Sequence, residues 1–162
     1  IYAGMRGAGA ELGHTLLVLE GEPCTCGRRG CWEAYASATA LIRQTRRAAQ
    51  EHPGSRLAAM AAEGEITGRT VFDAADAGDE AARSVIEQYC VYLGAGFTDL
   101  VNSLAPQMIL LGGGISRQGE RLLGPVREYV ATHCFGQRQG AIPRIETAQL
   151  GNDAGIIGAA AL

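Results

Sequence analysis

Four side chains able to hold a soft or borderline metal ion lie close together near the start of the chain: His14, Cys24, Cys26 and Cys31. The string C-T-C-G-R-R-G-C-W-E, from Cys24 to Glu33, contains three of the chain's five cysteines. One imidazole and three thiolates are a donor set for tetrahedral zinc, and a set with no open position makes a structural site. Gly27 and Gly30 let the backbone turn tightly enough for Cys31 to reach an ion held by Cys26. A disulfide, or a group of buried free thiols, is the plainer alternative. The odd number of cysteines argues against a disulfide, and no secretion signal points to an oxidising compartment. On spacing alone zinc is favoured and free thiols stay open. Cys90 and Cys134 stand apart and read as small core residues.

Two glutamates bracket this cluster. Glu11 lies three residues before His14, and Glu33 two after Cys31. If the four ligands converge, both carboxylates are drawn towards the same point. A carboxylate accepts hydrogen bonds in pairs, which suits vicinal hydroxyls, and a metal-bound His14 can donate from its other ring nitrogen. The plainer alternative, slightly favoured on these residues alone, leaves both glutamates exposed or paired with Arg28 and Arg29.

These side chains need a folded frame. At 162 residues the chain has the length of one domain, or of one lobe of a larger protein. Apolar residues make up 47% and charged residues 19%, which excludes a disordered chain. A net charge of -3 gives no reason to expect a nucleic-acid surface. Arg28, Arg29, Arg43, Arg46 and Arg47 form one basic cluster, read as the solvated side of a loop and helix, with phosphate contact as the sharper option. No apolar run reaches the roughly 18 residues of a membrane span, and no signal peptide is evident. The opening I-Y-A-G-M-R-G reads like a strand end and its turn, so the natural N-terminus is expected upstream, or the gene is expected to be truncated.

Gly4, Gly7, Gly9 and Gly13 mark a loop that bends sharply or approaches a ligand. T-L-L-V-L-E-G, Thr15 to Gly21, predicts a short buried strand. Helical spacing runs from Trp32 to Gln50, with Tyr35, Ala38, Leu41, Ile42 and Thr45 on one face; His52-Pro53-Gly54 stops it. A short helix is expected near Arg56 to Ala62. Another is expected over Val71 to Ala77, capped by Thr70 and ended by Gly78. A long helix is predicted over Asp79 to Leu104, with Ala82, Val85, Ile86, Tyr89, Leu93, Phe97, Leu100, Val101 and Leu104 on its apolar face. Gly94 and Gly96 mark a kink or a close helix approach. That face serves core packing or, as the sharper option, a dimer. Met108 to Leu111 predicts an apolar strand, a helix follows from about Gln118 to His133, and Pro143 precedes a strand over Arg144 to Ala148. Asn152 or Asp153 is expected to cap a final helix of small residues. The order is that of an α/β fold, with helices crossing between strands.

Gly112, Gly113 and Gly114 follow the apolar strand at once. Either they make a tight strand-to-helix turn with no ligand, or they let a nucleotide lie close to the backbone. Their position after a strand favours the second.

Taken together, A-E-L-G-H, C-T-C-G-R-R-G-C-W-E and A-S-A-T-A-L resemble the repressor–open reading frame–kinase (ROK) family of bacterial sugar kinases and sugar-responsive repressors, and within it the glucokinases. Pro106 to Ser116 is similar to the family's nucleotide-side strand and turn, and Gly151 to Leu162 to its closing helix. Residues 50 to 70 are the least diagnostic. The resemblance implies the C-terminal lobe of an actin-like, ribonuclease H-like ATPase fold. Its parts would be a zinc and sugar loop over residues 4–35, a helical segment over 36–105 and a nucleotide-side α/β segment over 106–162. It implies sugar contacts from Glu11, His14 and Glu33, a structural zinc on His14, Cys24, Cys26 and Cys31, and a nucleotide beside Gly112, Gly113 and Gly114. The implied reaction is ATP-dependent phosphorylation of a hexose, glucose first, at its 6-hydroxyl, with Mg²⁺ accompanying ATP, in a cytoplasmic homodimer. A sugar-sensing repressor of the same family is the alternative, and needs an upstream helix-turn-helix.

The chain departs from the family pattern in three ways. Ala10 stands where many members carry glycine, which restricts the backbone more. Trp32 replaces an aliphatic residue and is expected to pack against the loop. The first lobe's glycine-rich phosphate loop and its N-D base motif are not recognised; the one N-D pair, Asn152-Asp153, looks like a helix cap. The catalytic base is therefore expected upstream of Ile1, in a missing N-terminal lobe, and the chain alone is expected to be inactive.

Overall fold

The computed structural model describes residues 2–161, the side chain of Asn152 excepted. It consists of an irregular loop region followed by helices α1 (Glu33–Ala36), α2 (Ala38–Glu51), α3 (Arg56–Glu63), α4 (Thr70–Asp76) and α5 (Glu80–Leu104). Then come strand β1 (Met108–Leu111), helix α6 (Glu120–His133), strand β2 (Arg144–Thr147) and helix α7 (Ala154–Ala160).

The long helix α5 is the spine. Asp79 caps its start, accepting from Ala82 N–H at 2.9 Å, and the same carboxylate accepts from Leu57 N–H at 2.8 Å at the start of α3. One buried side chain thus satisfies the orphan donors of two helices. Ala105, in the left-handed conformation at φ 44°, ends α5, and Pro106 follows. Tyr89, Leu93, Phe97 and Val101 of α5 are buried with Leu41, Val71, Phe72, Leu122, Val126, Val130 and Ile145 in one core. The apolar face of α5 is spent on this packing; Leu104, expected in it, is 63% exposed beyond the core's end. Gly94 and Gly96 mark close approaches rather than a kink. A Cβ at Gly94 would lie 2.8 Å from Tyr129 Cβ, and one at Gly96 would lie 1.9 Å from the Trp32 indole.

The expected β1–α6–β2 crossover is present. The two strands are parallel, with Met108 opposite Arg144 and Leu111 opposite Thr147. Leu110 on β1 and Ile156 on α7 are exposed, and α7 buries none of its residues. Among the described residues no helix is long and apolar enough to cross a membrane.

Several expectations change. Thr15 to Gly21 is not a strand. Among the described residues it has no partner strand to complete a ladder, and its N–H groups at Leu17 and Val18 both donate to Gly30 O. Glu20 takes φ 54°, and Leu16 and Leu19 are exposed. The helix expected from Trp32 to Gln50 is two helices. Ser37 is extended at ψ 165° and its hydroxyl accepts from Ala40 N–H, so the chain restarts there. That break turns Ala38 outwards and Ala40 into the core. Trp32 packs against α5 instead of the loop, donating from Nε1 to Tyr92 O at 2.9 Å and meeting Phe97 edge-on. Thr70 is the first residue of α4 rather than its cap; its hydroxyl accepts backward from Thr67 N–H. Asp153 makes no side-chain cap to α7, and the alternative cap, the Asn152 side chain, lies outside the described residues.

Candidate functional site

The cysteine loop folds back on the segment before it. Leu16 bridges to Cys31 and Pro23 to Arg29, and Trp32 N–H donates to Thr15 O at 2.8 Å. Gly30, at φ 78°, is indispensable to this closure: a Cβ there would lie 1.7 Å from Val18 O. Tyr35 braces the base of the loop, its hydroxyl accepting from Glu22 N–H at 2.7 Å.

This closure brings the sulfurs of Cys24, Cys26 and Cys31 and the His14 ring nitrogen within 4.8 Å of one another. Cys24 Sγ lies 3.5 Å from His14 Nδ1, and Cys26 Sγ lies 3.6 Å from Cys31 Sγ. A tetrahedral zinc with bonds of about 2.3 Å to sulfur and 2.0 Å to nitrogen separates two sulfurs by about 3.8 Å and a sulfur from a nitrogen by about 3.5 Å. These two separations are close to those a zinc ion would impose. The backbone and guanidinium of Arg28 hold the Cys26 thiol down at about 6, whereas burial pushes Cys31 up to about 11. One thiol is ionised at neutral pH; the other needs a cation beside it. All five cysteines are free, so no disulfide competes.

Glu33 begins α1 and is held against this cluster. Its Oε1 accepts from the Thr25 hydroxyl at 3.1 Å and lies 3.8 Å from Cys24 Sγ. Glu11 is exposed at the entrance to the 3-10 turn Leu12–His14. Among the described residues neither glutamate is ion-paired with arginine. Arg28 donates instead to His14 O at 2.6 Å, so this arginine braces the loop rather than standing free in solvent. Ala10 takes φ 63°, a left-handed conformation that accounts for the glycine expected there.

Gly112, Gly113 and Gly114 are exposed, with Gly113 at φ 86° and the turn closed by Ser116 Oγ donating to Gly113 O at 2.7 Å. They line a cavity of about 240 Å³ with Ala36, Ser37 and Ala38. Glu33 and Ala36 are the two ends of α1. The carboxylate beside the thiol cluster and the glycine cavity are thus joined by one helical turn, about 5 Å of axis. Thr25 and Ser37 were missed in the sequence. Ser37 carries a legible signal, a serine three residues before a good helix former; nothing in the sequence singles out Thr25.

The sequence model described as the ROK family matches residues 1–162. The chain belongs to the ROK family. A glucokinase of Halalkalibacterium halodurans is 41% identical over 98% of this chain and 48% of its own length. The crystal structure of a ROK family glucokinase from Streptomyces griseus in complex with glucose and AMPPNP superposes with a TM-score of 0.87 at 35% identity, covering 98% of this chain and 52% of that one. The xylose repressor of Bacillus spizizenii, also similar, is 28% identical over 85% of this chain and 32% of its own length. The chain spans about half the length of the glucokinases it matches. Its α/β fold is that of ROK glucokinase structures.

Proposed function

We propose that this chain is the sugar-holding, nucleotide-facing part of a ROK hexose kinase. One observation carries the proposal: Glu33 and the glycine cavity sit at opposite ends of α1, close enough for one substrate to receive a phosphoryl group from the other. The glucokinases similar to it support the same conclusion. In this account Glu11 and Glu33 accept hydrogen bonds from glucose hydroxyls. His14 holds zinc through Nδ1 and donates to the sugar from Nε2. The zinc is structural, supplying the energy that keeps the loop in one shape. Gly112, Gly113 and Gly114 leave room for ATP with its Mg²⁺.

Phosphoryl transfer needs alignment and charge stabilisation more than covalent help from the protein. An aspartate from the other lobe, outside these residues, takes the proton of the 6-hydroxyl. That oxygen bonds to the γ-phosphorus as the bond to ADP breaks. Closing of the two lobes keeps water from competing as acceptor. The work is cytoplasmic, where ATP and hexose meet.

The test is glucose affinity in the longest natural polypeptide that contains this chain. Glu33→Gln and Glu11→Gln are each expected to raise the glucose Kd at least tenfold by calorimetry, with zinc retained. Unchanged affinity in both rejects the sugar assignment. The xylose repressor's similarity supports a second reading, a sugar-sensing repressor with the same sugar contacts. Sugar binding without phosphoryl transfer, together with binding to operator DNA, favours that one.

A further inference from the structure

Of the two glutamates that bracket the cysteine loop, Glu33 is the one held by a side chain, and that side chain is neither a metal donor nor a sugar contact. Thr25 sits between Cys24 and Cys26, and its hydroxyl donates to Glu33 Oε1 at 3.1 Å. We propose that Thr25 is a positioning residue: it fixes the Glu33 carboxylate for sugar binding and ties it to the cysteine loop by a route that bypasses His14. This rests on Glu33 being a sugar contact.

The local chemistry favours Thr25 as the donor. Cys24 Sγ also lies near Oε1, but at 3.8 Å, and a thiol is a weak donor. The Thr25 hydroxyl, at 3.1 Å, is the closer and stronger donor. Its position is set on both sides by cysteines of the metal cluster, so its aim depends on the loop being closed. With one lone pair of Oε1 occupied, Oε2 and the remaining lone pair of Oε1 are left for sugar hydroxyls. A hydrogen bond to a charged acceptor is strong enough for its loss to register in ligand affinity.

The experiment compares Thr25→Val, which keeps the shape and removes the hydroxyl, with Thr25→Ser, which keeps the hydroxyl. Both are made in the longest natural polypeptide containing this chain. Glucose Kd by calorimetry, KM and kcat for glucose, KM for ATP, and zinc per chain are measured. Thr25→Val is expected to raise the glucose Kd and KM about tenfold, with ATP KM, zinc content and thermal midpoint close to the parent. Thr25→Ser is expected to restore glucose affinity to within about twofold. Parent-like glucose affinity in Thr25→Val overturns the proposal. So does a Thr25→Ser as impaired as Thr25→Val, because packing would then be the cause. Glu33→Gln run alongside separates the two levels. If it leaves glucose affinity unchanged, the sugar role of Glu33 is what has failed. If it weakens binding while Thr25→Val does not, only the Thr25 role has.

Discussion

In the proposed zinc site, Cys31 is the ligand on which the cluster most depends. It is buried, its thiol is pushed up to about 11, and it bridges the loop to Leu16. Without an ion it stays protonated at neutral pH, so metal binding must release its proton. Cys31→Ser is expected to lower zinc from about one per chain to almost none, measured by elemental analysis after purification without added metal. A folded parent chain that carries no zinc contradicts the metal assignment. Ala10 makes a smaller prediction. Its φ of 63° costs an L-residue about 1–2 kcal/mol, part of which glycine gives back as unfolded-chain entropy. Ala10→Gly is expected to stabilise the protein by about 0.5–1 kcal/mol in denaturant melts. The convergence of His14, Cys24, Cys26 and Cys31 was legible because metal-donor chemistry constrains spacing, whereas the sugar role of Glu33 was favoured only by the family resemblance. Thr25 was not legible: a hydroxyl between two cysteines looks like any loop threonine until the loop closes.

At the scale of elements, Asp79 links two helices. Desolvation alone would raise its carboxyl, but donors at Ala82, Leu57, Arg56 and Ala81 outweigh it and hold the group below its ordinary value. The native state therefore binds fewer protons than the unfolded state near pH 4. Its stabilising effect is complete above the unfolded value, about 3.9, and is lost as pH falls further through the folded value. Asp79→Ala is expected to cost about 2–3 kcal/mol by stranding buried N–H groups. It should also flatten the loss of stability below pH 4. An acid limb as steep as the parent's assigns that limb to other carboxylates. Gly96→Ala drives a methyl into the Trp32 indole and is expected to cost about 2–3 kcal/mol; a neutral result would mean that Trp32 can leave its place on α5. The long helix α5 and the β1–α6–β2 unit were legible because period and length agreed. Thr15 to Gly21 was misread because its apolar residues mimic a strand, while its hydrogen bonds go to Gly30. The break at Ser37 was missed because the apolar period carries on across it, although the backbone does not.

For the whole molecule, what matters is how the loop and the glycine turn face each other. The cysteine and glycine motifs predict each of them, and the helical spacing from Trp32 covers the short helix α1 between them, but not its end at Ser37. In the proposed kinase, two substrates brought to the ends of that helix would make a site that needs a base and a covering lobe. The most direct measurement is glucose-dependent ADP formation from ATP by the longest natural polypeptide containing this chain, set beside the chain alone. The account predicts glucose 6-phosphate and ADP in equal amounts from the longer protein and none from the chain. A longer protein that binds glucose yet transfers no phosphoryl group to any hexose would contradict it, and would leave the sugar site as a sensor.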